Sequence, residues 1–266
     1  MIDYAERLKR AEQVGAEIDA LLGIGDPKVD LGSFSRGHDL RQLENIKTLM
    51  GKNFIGPEDY KDLLRAKDVG VIPPLPLAIT EELLESPCPF LKDKKIKETH
   101  LLVFVPNTIN REDFTINSLR QLVADSEDKH RRERIFDDQS WYNDQEFAAT
   151  PIVDGKWVLL PMSDLPNSRN KTNAERLEEL KKYPDYQTAG ALELTTALVM
   201  HELKNHQRKF ADFYGWCEEL TNEGRLAATG LRVDVGGFGG SGLYVGHCGD
   251  ERSSNIGRAV VRRSWK

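Results

Sequence analysis

Gly237-Phe-Gly-Gly-Ser-Gly242 has the glycine spacing of a phosphate-binding turn and follows an alternating run, so a dinucleotide site is the first chemistry to weigh. Its context opposes that chemistry. Such a turn opens a helix whose N-terminus meets the pyrophosphate, whereas Leu243-Tyr-Val-Gly246 continues as a strand-like run, and only 24 residues follow Gly242. A glycine-rich turn joining two antiparallel strands fits these residues better. His201-Glu-Leu-Lys-Asn-His206 approaches the two-histidine pattern of a zinc helix, but five positions rotate a helix by about 140° and the imidazoles diverge. A solvated helix end is expected there. No nucleophile elbow, P-loop, Cys-x-x-Cys pair or kinase signature occurs, and the spacing of the acids singles out no pair. Cys217, beside Trp216, reads as a core thiol, whereas the neighbours of Cys248 are Gly, His and Asp.

The run Tyr244-Val-Gly-His-Cys-Gly-Asp-Glu-Arg-Ser-Ser-Asn255 carries almost no aliphatic residue, yet strand-like sequence holds both of its ends. In Leu243-Tyr-Val245 the alternation sends Leu243 and Val245 inward and Tyr244 outward, onto the surface that the polar residues share. Ile256-Gly-Arg-Ala-Val-Val returns at once to a core-forming pattern. A rigid aromatic and an arginine among small polar residues have the makeup of an adaptable binding loop. Such a loop on a rigid scaffold is a common home for function.

The elements that position this run are legible in outline. Leu8, Val14, Ile18, Leu21 and Leu22 give a first helical stripe, and Leu40, Leu43, Ile46, Leu49 and Met50 a second that stops at Gly51. Pro57-Glu-Asp-Tyr starts another helix, with acid in its first turn. Val71-Ile-Pro-Pro-Leu-Pro-Leu77 is an extended connector, because its prolines lack amide donors and fix φ. The chain is therefore read as an N-terminal helical segment, 1–67, and a second domain, 68–266. In the second, Leu101–Val105 and Trp157–Pro161 read as strands, and Thr115–Val123, Thr172–Lys182 and Thr188–His206 as helices. Asp125 to Asp138 is a charged, exposed stretch. Leu231-Arg-Val-Asp-Val235, Leu243–Val245 and Ala259-Val-Val261 make the end of the chain β-rich. The class expected is α+β.

At 266 residues, with 30% charged against 39% hydrophobic residues, the chain can bury a core without staples. A net charge of -6 opposes general binding to nucleic acid or an anionic membrane. No run approaches the ~20 apolar residues of a membrane span. The charged, amphipathic start lacks the pattern of a secretory signal, so a cytoplasmic or viral-particle location is expected. Three scattered cysteines suit a reducing compartment and make neither a disulfide framework nor a cysteine-rich zinc site.

Trp216-Cys, then Gly230-Leu-Arg-Val-Asp-Val-Gly-Gly-Phe-Gly-Gly-Ser-Gly-Leu-Tyr-Val245, the polar run, and Ile256-Gly-Arg-Ala-Val-Val-Arg-Arg263 together resemble the end of variable proteins from diversity-generating retroelements. Pro87-Cys-Pro-Phe90, Thr99–Pro106 and Trp157–Pro161 are similar to segments of the same group, so the resemblance runs from about Val71 to Arg263. It implies a C-type lectin-like fold of the formylglycine-generating-enzyme type, with a ligand-binding face built from its last residues. It also implies gene-level partners, an error-prone reverse transcriptase and a template repeat whose adenines are altered on copying. Asn codons changed at their two adenines can yield Tyr, Gly, His, Cys, Asp, Arg, Ser or Asn, but not Glu.

Carried over on that basis, the varied ligand-binding positions are Tyr244, Gly246, His247, Cys248, Gly249, Asp250, Arg252, Ser253, Ser254 and Asn255. Glu251 is fixed, and Gly239, Gly240 and Ser241 are further candidates. The resemblance implies a non-enzymatic binder with no cofactor or metal and a macromolecular ligand, most naturally a protein. Leu231, Val233, Val235, Leu243, Val245, Ile256, Val260 and Val261 would set the backbone. One alternative is a copper- or zinc-dependent oxidoreductase of the same fold using Cys217, His247 and Cys248. Another is a partner module dominated by the N-terminal helices.

Overall fold

A computed structural model describes residues 31–125, 135–222 and 231–263. The chain divides into two compact units, residues 1–44 and 45–266. The helix expected over Leu8–Leu22 and most of the charged stretch after Asp125 lie outside the described residues. Helix α1 (Leu31–Met50) ends where Gly51 takes φ +52, and a single 3-10 turn follows. The larger unit starts earlier than the composition change near residue 67, because helix α2 (Pro57–Leu64) is built into its core. Tyr60 is fully buried, donates its hydroxyl to the Phe104 carbonyl and meets Phe104 and Phe114 edge-on.

The larger unit is mixed α and β. Strand β1 (Phe54–Ile55) lies parallel to β2 (His100–Val105), and β5 (Lys156–Pro161) pairs antiparallel on its other side. All six residues of β2 are buried, as expected of the continuous apolar run Leu101–Val105. Between them lie the two-residue strands β3 (Thr108–Ile109) and β4 (Glu112–Asp113), then helix α3 (Ile116–Ala124), capped by the Thr115 hydroxyl. The connector 71–77 is irregular, as its prolines dictate, and Trp157 Nε1 donates to the Pro73 carbonyl at 3.1 Å.

Helix α4 (Asn173–Lys181) begins at Thr172, whose hydroxyl accepts from the Glu175 amide while the Glu175 carboxylate takes the Thr172 amide. Strand β6 (Tyr186–Thr188) then leads into helix α5 (Ala191–Asn205), buried from Ala191 to Leu203. The helix is buried on every side, its polar Glu193, Thr195, Thr196, His201 and Glu202 included, because α5 packs against α2, β2 and the C-terminal strands. This enclosure corrects one expectation. His206 is the exposed left-handed cap of α5, but His201 is fully buried, with Nδ1 3.0 Å from the Gln207 carbonyl. Desolvation lowers its pKa to about 4, so it is neutral.

The C-terminal sheet has the order β10-β7-β8-β9, built from β7 (Tyr214–Leu220), β8 (Arg232–Gly239), β9 (Gly242–Cys248) and β10 (Ile256–Arg258). β7, β8 and β9 run antiparallel, and β10 lies parallel to β7. A last strand, β11 (Val260–Arg262), leaves this sheet and pairs with β6. Within Gly237–Gly242 the turn between β8 and β9 is Gly240-Ser241, with Gly239 opposite Gly242. Gly242 takes φ +119, and a Cβ there would stand 2.4 Å from the Phe136 carbonyl carbon. Val233, Val235, Leu243, Val245, Val260 and Val261 are all core residues, whereas Leu231 and Ile256 are only partly buried. Among the described residues, no helix is long and apolar enough to cross a membrane.

Candidate functional site

Alternation along β9 divides the expected site residues between the two faces of the sheet. Leu243 and Val245 point into the core, fully buried, while Tyr244 keeps 38% of its surface exposed. Register places Ile256, Tyr214, Gly236 and Tyr244 in one row across four strands, and Arg258, Trp216, Asp234 and Gly246 in the next row on the same face. Tyr214 and Tyr244 meet edge-on at 5.8 Å across Gly236. Position 236 itself requires glycine, since a Cβ there would lie 2.2 Å from the Phe213 carbonyl oxygen.

The free edge of β9 is closed by residues 135–141 rather than by another full strand. Leu243 exchanges backbone bonds with Ile135 and Asp137, the Gln139 side chain accepts from the Val245 amide, and Trp141 Nε1 donates to the Val245 carbonyl at 2.8 Å. Side chains thus satisfy the edge and block further pairing there. Exposed His247 packs edge-on against Trp141 at 4.7 Å.

From Gly249 to Asn255 the chain is a loop held at its far end through its backbone. The Ser253 carbonyl accepts from the Asn170 amide at 2.7 Å, the Asn255 carbonyl from the Tyr214 amide at 2.8 Å, and the Ile256 carbonyl from Arg176 Nη2 at 3.1 Å. Each of these bonds is indifferent to the side chain at the loop position. Asp250, Arg252, Ser254 and Asn255 are exposed, as are Glu251, Gly240 and Ser241; Cys248, Gly249, Ser253 and Gly239 are partly so.

Two loop side chains nevertheless act as tethers. The Asp250 carboxylate accepts from the Asn173 amide at the start of α4, a favourable place for an anion. Arg252 donates to Glu175 at 2.6 Å and to the Asn170 carbonyl at 3.1 Å. The Thr172 amide, then Arg252, holds the Glu175 carboxyl down to about 2.

Gly246 is the exception among the expected positions: it is buried. A Cβ there would meet the Tyr244 ring at 2.4 Å and Asp234 Oδ1 at 2.7 Å, so its freedom depends on the residue at 244. Asp234, only 4% exposed, has its pKa raised to about 6 by burial, opposed by a hydrogen bond from the Cys248 thiol. Burial and then the Asp234 charge hold that thiol well above its ordinary value, so it stays protonated and a poor nucleophile.

Cys217 is sealed in the core with Sγ on the Gly215 carbonyl. Among the described residues, no three His, Cys, Asp or Glu side chains are placed to share a metal, so Cys217, His247 and Cys248 do not assemble into such a group. The arrangement offers aromatic and hydrogen-bonding contact at three places: Tyr244 with Tyr214 on one side of β9, His247 with Trp141 on the other, and the polar loop that follows. Tyr214, Trp141, Asn170 and Glu175 were not marked by any sequence motif, because their roles come from pairings made 30 to 100 residues away. No described protein family, curated protein or solved structure matches this chain.

Proposed function

We propose that this chain is a ligand-binding protein whose C-terminal face is diversified by a retroelement and displayed on a C-type lectin-like scaffold of the formylglycine-generating-enzyme type. The ligand is macromolecular, with a protein the natural fit to an aromatic and polar surface, and the chain acts without catalysis. One observation carries the reading: the segment with the codon-compatible residues is also the segment whose exposed side chains hang on backbone bonds to Asn170, Tyr214 and Arg176. Side chains can then change while the path of the chain is kept. The framework residues between which it is held, Val233, Val235, Leu243, Val245, Val260 and Val261, are buried.

On this reading Tyr244, His247, Ser254 and Asn255 carry specificity freely, whereas Asp250 and Arg252 also tether the loop and Gly246 is crowded by Tyr244 and Asp234. Central aromatic residues commonly dominate affinity, which favours Tyr244 and His247 as anchors. The test is the DNA flanking the gene. A reverse-transcriptase gene and a near-copy of the 3′ end, differing at adenines under codons 244–255, are expected; a neighbourhood without either would overturn the proposal.

A further inference from the structure

Behind the display loop, the guanidiniums of Arg258, on the row Arg258–Trp216–Asp234, and of Arg176, from α4, meet no carboxylate among the described residues. Arg176 is 0% exposed and Arg258 2%, and both lie against the ring of Trp216, itself 1% exposed, with Cζ to ring-centre distances of 4.3 and 5.9 Å. Arg176 donates Nε to the Ser168 carbonyl and Nη2 to the Ile256 carbonyl; Arg258 donates Nη1 to Thr188 Oγ1 and Nη2 to Asn173 Oδ1. Every one of those acceptors is neutral. Three donors in the cluster are buried with no hydrogen-bond partner among the described residues: Arg176 Nη1, Arg258 Nε and Trp216 Nε1.

The charges nearby do not answer this excess. Asp250 and Glu175 face Arg176 from the solvent edge, but Asp250 is committed to the Asn173 amide and Glu175 to Thr172 and Arg252. Cys248 and Cys217 are protonated thiols, and Asp234 gives its carboxylate to Cys248. Arg232 adds a further positive charge beside Arg258, whose pKa is lowered to about 10, by burial first and then by Arg232 and Arg176. Buried cations are stable only when paired, and buried N–H groups only when they donate.

We propose that Arg176, Trp216 and Arg258 form a binding site for one small anion, which receives their three unmet N–H groups. The occupant is small, since all three nitrogens are shut off from solvent. Chloride is small, carries the right charge and needs no directional acceptor geometry. Because Arg176 Nη2 also holds the Ile256 carbonyl, a filled site steadies the exit of the display loop. The site stands on its own donors, whether or not the face above it is diversified.

The test is thermal unfolding of the full chain in sodium chloride and in sodium gluconate at equal ionic strength, with crystals grown in sodium bromide. Chloride-specific stabilisation is expected, a rise in Tm of roughly 5 °C or more at a hundred times Kd, with a bromide peak between the guanidiniums. Trp216→Phe keeps the ring and removes one donor, and Arg258→Lys keeps a cation and removes Nε; each should weaken the chloride response several-fold. Equal Tm in the two salts, bromide peaks only elsewhere, or variants with the full response would overturn the site and mean that water alone meets these donors.

Discussion

Asp234→Asn tests the electrostatics beneath the display face. The carboxyl is 4% exposed, and burial raises its pKa from 3.8 to about 6. Between those values the folded protein holds the proton more tightly than the unfolded chain. Stability from this group is therefore complete below about pH 4 and is lost as pH rises through 6. Two pKa units at 1.36 kcal/mol each set a ceiling of about 3 kcal/mol. Asparagine keeps an acceptor for the Cys248 thiol and carries no charge to desolvate. In urea titrations followed by tryptophan fluorescence from pH 4 to 8, the variant should be the more stable by up to about 3 kcal/mol at pH 7.5. Its advantage should vanish near pH 4. Other groups titrate in the same range, but they cancel in the difference between the two proteins. A difference that stays flat with pH, or a variant weaker at pH 7.5, would refute the reasoning.

Gly246→Val should cost about 1–3 kcal/mol, since its Cβ falls on the Tyr244 ring and on Asp234; in a double-mutant cycle, Tyr244→Ala should recover 0.5 kcal/mol or more, roughly, and an additive cycle would contradict the contact. Arg252→Ala removes an ion pair whose partners are both solvent-exposed, so global stability should be nearly unchanged, with less effect still in high salt. Hydrogen exchange at the Asn173 and Asn170 amides, which donate to Asp250 and to the Ser253 carbonyl, would show the loop loosening in that variant, and unchanged exchange would count against its role as a tether.

Much of the framework follows from local pattern. The continuous run Leu101–Val105 and the alternating Val233, Val235, Leu243 and Val245 sit where their periodicity puts them, and Gly237–Gly242 holds a turn rather than a phosphate cradle. The outward position of Tyr244 also follows from alternation. Alternation fails at Asp234, which should face solvent but lies 96% buried, because α4 and its Arg176 come from 60 residues earlier to cover that face of the sheet. The same distance in sequence hides the tethers of Asp250 and Arg252. His201 misleads for a related reason: its helix reads as ending in solvent, yet α5 is enclosed until its last turn. Helix α2 looked like part of an N-terminal segment, and only the burial of Tyr60 against β2 assigns it to the larger unit.

The claim on which the account rests is that exposed tail residues can vary while the frame folds unchanged. Randomising codons 239–255 and scoring each member by resistance to protease measures it directly. Tolerance of nearly all residues at 240, 241, 244, 247, 254 and 255, with partial losses at 246, 250 and 252 and collapse at 243 and 245, is the expected profile. Loss of the fold on substitution at 244, 247, 254 and 255 would contradict it.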